Sequence, residues 1–175
     1  MALKSINKTY FLKKIYLSIN CIFVIKNMNN RIPPPIVTLI CGLVIYYTRC
    51  LFPSCDLNIL KILSPIFLIL GLLVGFSAIF KFIKSKTTVN PVKIENASTL
   101  VNSGIFKYTR NPMYLGMLFI LISISLNFNL YGGTIVVLLF YFFINKFQIA
   151  PEEKVMEEIF GDEYVEYKKT TRRWL

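Results

Sequence analysis

Leu100-Val101-Asn102-Ser103-Gly104-Ile105-Phe106-Lys107-Tyr108-Thr109-Arg110-Asn111-Pro112-Met113-Tyr114-Leu115-Gly116 passes from a polar, basic, turn-forming segment into a long uncharged run. A chain that changes character so abruptly reads as a surface loop entering a membrane. Asn111-Pro112 is the hinge. The residue before a proline is driven out of the α region, and proline suits the first helical position, so Asn111 reads as the N-cap of a helix starting at Pro112. The first turn of such a helix presents unpaired N–H groups and a partial positive charge. Lys107 and Arg110 stand just before it, so an anionic group would bind well here.

Working outward, residues 113–145 carry no charge, a run of 33 residues. As one helix it would reach about 50 Å, well beyond a hydrocarbon core of roughly 30 Å. It must fold back, and Asn127, Asn129 and Gly132-Gly133 supply the break. The expectation is a helical hairpin of residues 112–126 and 134–147. Upstream, residues 62–80 form the clearest span, followed by Lys81, Lys84 and Lys86. Gly71 and Gly75 make a small-xxx-small pair suited to close helix packing. Residues 36–52 form another span candidate, led in by Pro33-Pro34-Pro35 as a stiff extended spacer. Arg49 near its far end can snorkel to the interface.

Residues 1–31 are a basic N-terminal extension with no acid, and their apolar run is too short to cross a bilayer. Met28 is a candidate start, which would make residues 1–27 foreign to the native protein. With 55% of 175 residues hydrophobic, the chain is too apolar for an ordinary soluble domain. The net charge of +11 punctuates apolar runs instead of lining one face, which points to membrane lipids as partners and not to nucleic acid. The fold class expected is all-α, a polytopic membrane bundle of about four transmembrane helices. By the positive-inside rule both termini and the loop at 81–112 lie in the cytoplasm.

From Pro151 onward the balance changes to 5 basic and 7 acidic residues. Pro151 reads as a helix restart with Glu152 and Glu153 in the first turn, Gly161 as its stop and Asp162 as the cap of a second short helix. Val155, Ile159, Tyr164 and Tyr167 give an apolar stripe, so residues 151–175 look like an amphipathic lid, with Arg172-Arg173-Trp174 as an interfacial anchor.

The hairpin brings the loop at 100–114 and the residues from Lys146 to Glu153 to one surface. One side offers N–H groups and cations, the other a carboxylate pair, with Phe106, Tyr108 and Tyr114 nearby. A ligand with both charges and a flat ring fits, and S-adenosylmethionine is such a ligand. Methyl transfer to an acceptor that is already an anion needs little acid–base help, which suits a chain with no histidine. Without histidine, and with four cysteines but no CxxC pair, no metal site is expected.

Five ordered motifs carry a resemblance. They are Thr87-Thr88-Val89-Asn90-Pro91, Leu100-Val101-x-Ser103-Gly104-Ile105-Phe106, Arg110-Asn111-Pro112-Met113-Tyr114-Leu115-Gly116, Phe147-Gln148-Ile149-x-Pro151-Glu152-Glu153, and the closing Phe160-Gly161-x-Glu163-Tyr164-x-x-Tyr167 with Arg172-Arg173-Trp174. Over about residues 31–174 the chain resembles the isoprenylcysteine carboxyl methyltransferase-like group of integral membrane methyltransferases, related to phospholipid methyltransferases. The resemblance implies a cytosol-facing S-adenosylmethionine pocket. In it Leu100, Val101, Phe106, Asn111, Pro112, Met113, Tyr114, Glu152 and Glu153 would hold the cofactor, while Arg110 and Lys146 would orient an anionic, lipophilic or lipidated acceptor. Relatives often carry His where Asn111 stands and Tyr where Phe106 stands. An amide then replaces an imidazole, and a phenol's hydrogen bond is lost. The rival expectations are a phospholipid amine methyltransferase, a sterol-reductase-like oxidoreductase binding NADPH, and a non-enzymatic membrane scaffold. The oligomeric state is left open.

Overall fold

In a computed structural model, residues 32–55, 57–85 and 100–175 are described. The extension at 1–31, the candidate start at Met28, the Thr87-Thr88-Val89-Asn90-Pro91 motif and the rest of 86–99 in the expected loop lie outside the described residues. Helix α1 is Pro34–Tyr47, continued by a 3-10 turn, Thr48–Leu51. Only Pro33 is extended (φ −56°, ψ 128°); Pro34 and Pro35 are already helical. Proline's fixed φ suits a first turn, and its missing N–H is one that would lack a partner there anyway. The expected triproline spacer is therefore mostly a helix start.

Helix α2, Asn58–Lys84, outruns the expected 62–80 at both ends and closes with Lys81 and Lys84 in its last turn, where cations complement the dipole. Helices α3, Pro112–Phe128, and α4, Leu130–Ile144, form the hairpin. Its break is Asn129 alone, whose side-chain oxygen accepts from Gly132 N at 2.9 Å and caps α4. Gly132 and Gly133 sit inside the helix. Their bare backbones let α4 close against Phe52 and Ser125, so they serve packing and not the turn. Among the described residues, three helices are long and apolar enough to cross a membrane, Pro34–Leu51, Asn58–Lys84 and Leu130–Phe160, with Pro112–Phe128 as a shorter apolar fourth. The protein is a polytopic membrane helical bundle.

The α2–α3 seam needs small residues. Ser64 Oγ donates to Ser123 O (3.1 Å) and Ser123 Oγ donates to Ser64 O (2.7 Å), so each hydroxyl satisfies the other helix's carbonyl in an apolar medium. Farther along, a Cβ on Gly116 would lie 2.8 Å from Gly71 O, backbone against backbone. Gly116→Ala should therefore destabilise the bundle by about 1–3 kcal/mol, because two main chains must move apart. Gly75→Ala meets no atom within 4 Å and should leave stability unchanged or slightly higher. Thermal denaturation of the two variants in the same detergent checks the contrast. An inner core gathers Ile45, Tyr114, Leu121, Phe140, Ile144 and Ile149, joining α1, α3 and α4.

The helix does not restart at Pro151. Helix α4 continues through a π turn, Asn145–Ile149, into α5, Ala150–Phe160. Pro151 has no N–H and its ring crowds the preceding turn; the wider turn, in which Ala150 N reaches Asn145 O, accommodates both. Gly161 (φ +53°) ends α5 in a conformation side chains resist, and α6, Asp162–Thr170, follows. Asp162 lies inside α6 and makes no side-chain cap. The buried stripe also differs from the one expected. Ile159 is exposed, while Met156 and Phe160 join Tyr164 and Tyr167 in packing on Leu100.

Candidate functional site

The loop at 100–111 is fastened before it reaches the site. Gly104 (φ +69°) opens a 3-10 turn, Gly104–Lys107, whose Phe106 is buried against Phe82 of α2 with ring centres 5.1 Å apart. The Phe106 carbonyl accepts from the Tyr167 hydroxyl at 2.6 Å, so α6 clamps the loop from the other side. Burial pushes the Tyr167 phenol well above its usual range, which keeps the clamping proton in place at any physiological pH.

Residues 109–111 then meet the C-terminal tail. Arg110 N donates to Arg172 O (3.0 Å), Asn111 Nδ2 to Arg173 O (2.9 Å) and Thr109 Oγ1 to Arg173 O (3.3 Å). Asn111 does stand at the N-cap position, but its side chain makes no cap bond, having turned to the tail instead. Trp174 folds back on α4, its ring 5.1 Å from that of Tyr141 and its Nε1 donating to Asn145 Oδ1 at 3.1 Å.

This arrangement brings the two halves of the expected site together and gives the paired acids different partners. Arg110 Nη2 donates to Glu153 Oε1 at 2.9 Å. Arg173 donates to Glu153 twice, Nη2 to Oε2 at 2.6 Å and Nε to Oε1 at 3.1 Å. The side chains of Arg110 and Glu153 are only 10% and 11% exposed, so this pair is shielded from solvent. Glu152 has a separate partner: the Tyr114 hydroxyl donates to its Oε1 at 2.5 Å. Among the described residues, the buried Nε and Nη1 atoms of Arg110 have no hydrogen-bond partner. A buried cation with spare donors is costly, and an anion arriving there would satisfy it.

The other expected residues divide. Val101, Phe106 and Met113 pack with Ala78, Phe82 and Ile105. Leu100 packs on Tyr164 and Tyr167, and Pro112 is fully buried at the start of α3. Their side chains serve apolar packing. Lys146 stands apart: it is exposed, with its Nζ 5.4 Å from the centre of the Phe147 ring. Sequence reasoning missed Arg173 and Asn145 as parts of the cluster. The Arg172-Arg173-Trp174 run was the one available signal for Arg173.

Residues 59–163, which contain Arg110, Tyr114 and both glutamates, match the family of phospholipid methyltransferases. The chain belongs to the phospholipid methyltransferase family. A 63-residue stretch is 46% identical to an uncharacterized protein of Haemophilus influenzae, covering 36% of this chain and all of that protein. A 79-residue stretch is 35% identical to protein-S-isoprenylcysteine O-methyltransferase of Saccharomyces cerevisiae, covering 43% of this chain and 32% of the yeast enzyme. No solved structure matches. As a family member built into a helical membrane bundle, the protein is a membrane methyltransferase, and it draws on a methyl donor.

Proposed function

We propose that the protein transfers a methyl group from S-adenosylmethionine to an anionic group, a carboxylate, on a lipophilic acceptor that reaches the site from the bilayer. The observation that carries the reading is the half-used Arg110 guanidinium, buried beside Glu152 and Glu153 with two donor atoms unspent among the described residues. The residues present fit both ligands. Glu152, bound among the described residues by a phenol alone, has lone pairs for the cofactor's ammonium or ribose hydroxyls. The N–H groups opening α3 suit its carboxylate. Arg110 Nε and Nη1 receive the acceptor's anion.

Bound in this way, S-adenosylmethionine supplies the electrophilic methyl group. The chain's own work is positioning: Arg110 fixes the acceptor oxygen, Glu152 and Tyr114 fix the donor's polar end, and the packed walls exclude water. The nucleophile already carries its charge, so no side chain has to take a proton. An amine acceptor, the alternative that the family's description favours, fits less well. Its cationic form would face the spare Arg110 donors, and a general base would have to be found in Glu152. The site would open to the cytoplasm, since Lys81, Lys84, Lys107 and Arg110 gather at that end of the helices.

The experiment uses protein in lipid nanodiscs with methyl-labelled donor and three acceptors: N-acetyl-S-farnesylcysteine, oleate and phosphatidylethanolamine. Label on the carboxylates that mild base releases is the expected result. Base-stable label on phosphatidylethanolamine would replace this reading with amine methylation. In parallel, Glu152→Gln should weaken S-adenosylhomocysteine binding about tenfold or more while the protein stays folded, a charged hydrogen bond being worth roughly 1.5–3 kcal/mol. Unchanged affinity by calorimetry would reassign Glu152 to the helix start.

A further inference from the structure

We propose that residues 171–174 form a strap that positions Arg110, with Arg173 and Trp174 as positioning residues acting through Glu153 and Asn145. This inference rests on the assignment of Arg110 to the acceptor's anion. The strap lies beyond residues 59–163, the part of the chain that the family match covers.

The argument is one of lone pairs. An arginine facing a carboxylate normally closes a two-pronged fork, spending two N–H groups on two oxygens. Arg110 does not: it reaches Glu153 through Nη2 alone. Arg173 bridges both oxygens, Nη2 to Oε2 and Nε to Oε1, so it occupies the one edge of the carboxylate on which a fork can close and leaves Arg110 the remaining lone pair of Oε1. Arg173 thus holds the place that would otherwise draw Arg110 into a fork, and the donors left over on Arg110 are the ones available to a ligand.

Arg173 is held in turn. Its carbonyl accepts from Asn111 Nδ2 and Thr109 Oγ1, its Nη1 reaches Asn145 Oδ1 at 3.4 Å, and Trp174 pins the next residue to the same amide oxygen and to Tyr141. Asn145 opens the π turn that leads to the glutamates, and its own Nδ2 is anchored on Tyr141 O at 2.9 Å. The strap therefore ties the start of α3 to the turn that aims Glu153.

Arg173→Met releases the edge of the Glu153 carboxylate that the Arg173 fork occupies. Arg110 should then close its fork on Glu153 and lose a donor for the acceptor. The expected result is an increase of about tenfold in KM for N-acetyl-S-farnesylcysteine, with the Kd for S-adenosylhomocysteine changed less than about twofold. Arg173→Lys should not rescue, because an ammonium cannot hold both oxygens in plane. In protein labelled with 15N-arginine, the Arg110 Nε–H resonance should move in both variants. An unchanged acceptor KM in protein with intact cofactor affinity, or full rescue by lysine, overturns the proposal.

If Arg173→Met fails to fold, Trp174→Phe decides, since it keeps the ring on Tyr141 and removes only the N–H to Asn145. A KM increase of about threefold supports the strap, and no change overturns it. Arg110→Ala separates the two layers of the argument. If that variant leaves acceptor KM unchanged, the assignment of Arg110 falls. If it raises KM while Arg173→Met does not, only the strap falls.

Discussion

Glu153→Gln is expected to cost about 3–5 kcal/mol of stability, the usual penalty for removing one partner of a buried ion pair. Glu153 is the carboxylate on which both Arg110 and Arg173 converge. Glutamine offers one neutral oxygen and no charge. Arg173, with a side chain 38% exposed, can turn to water, but Arg110 at 10% cannot. The cation left behind should loosen the joint between α3 and α5 and lower the midpoint of thermal denaturation in detergent, with loss of monodispersity. A variant as stable as the parent would mean that Arg110 has found another anion. Glu152→Gln, one residue earlier, keeps an oxygen that can accept from the Tyr114 phenol and removes only the charge, so it should leave the fold intact. The contrast between neighbours is the test of the division of labour described above.

Arg110→Ala should lower kcat/KM for a carboxylate acceptor by about one to two orders of magnitude, because a charged hydrogen bond is worth roughly 1.5–3 kcal/mol. The fold should survive, since Arg173 keeps Glu153 doubly bonded. Affinity for S-adenosylhomocysteine should change little, and Arg110→Lys should recover only part of the loss, having no second prong. Steady-state kinetics with N-acetyl-S-farnesylcysteine and calorimetry with S-adenosylhomocysteine check the two halves separately. Loss of cofactor affinity with an unchanged acceptor KM would move Arg110 to the other ligand.

The sequence made the membrane bundle legible because charge is so costly in hydrocarbon: 33 uncharged residues admit almost no reading but a hairpin. Proline and glycine were harder. The same residues that break a helix also start one, as Pro34 does, or let two helices touch, as Gly132 and Gly133 do, and only the neighbouring atoms decide. Pro151 reads as a restart because a regular helix cannot hold it, whereas a π turn can.

In the site, the proximity of Arg110 to the acid pair could be anticipated from the hairpin. Which acid met which partner could not, because adjacent glutamates point about 100° apart on a helix and the sequence does not fix the rotation. Arg173 was invisible for a similar reason. A basic residue next to tryptophan near a chain end looks like an interfacial anchor until its carbonyl is seen bonded to Asn111 and Thr109.

The wide turn at Asn145–Ile149 takes up one residue more than a regular turn would. Forcing the same residues into an even spiral would swing everything downstream by about 100°, carrying Glu152 away from its phenol and Glu153 away from both guanidiniums. The angular phase of the helix is therefore a tuning element. A chain that lacked one residue here could reach the same phase with a regular helix, whereas a chain that kept every residue but lost the wide turn would not share this site.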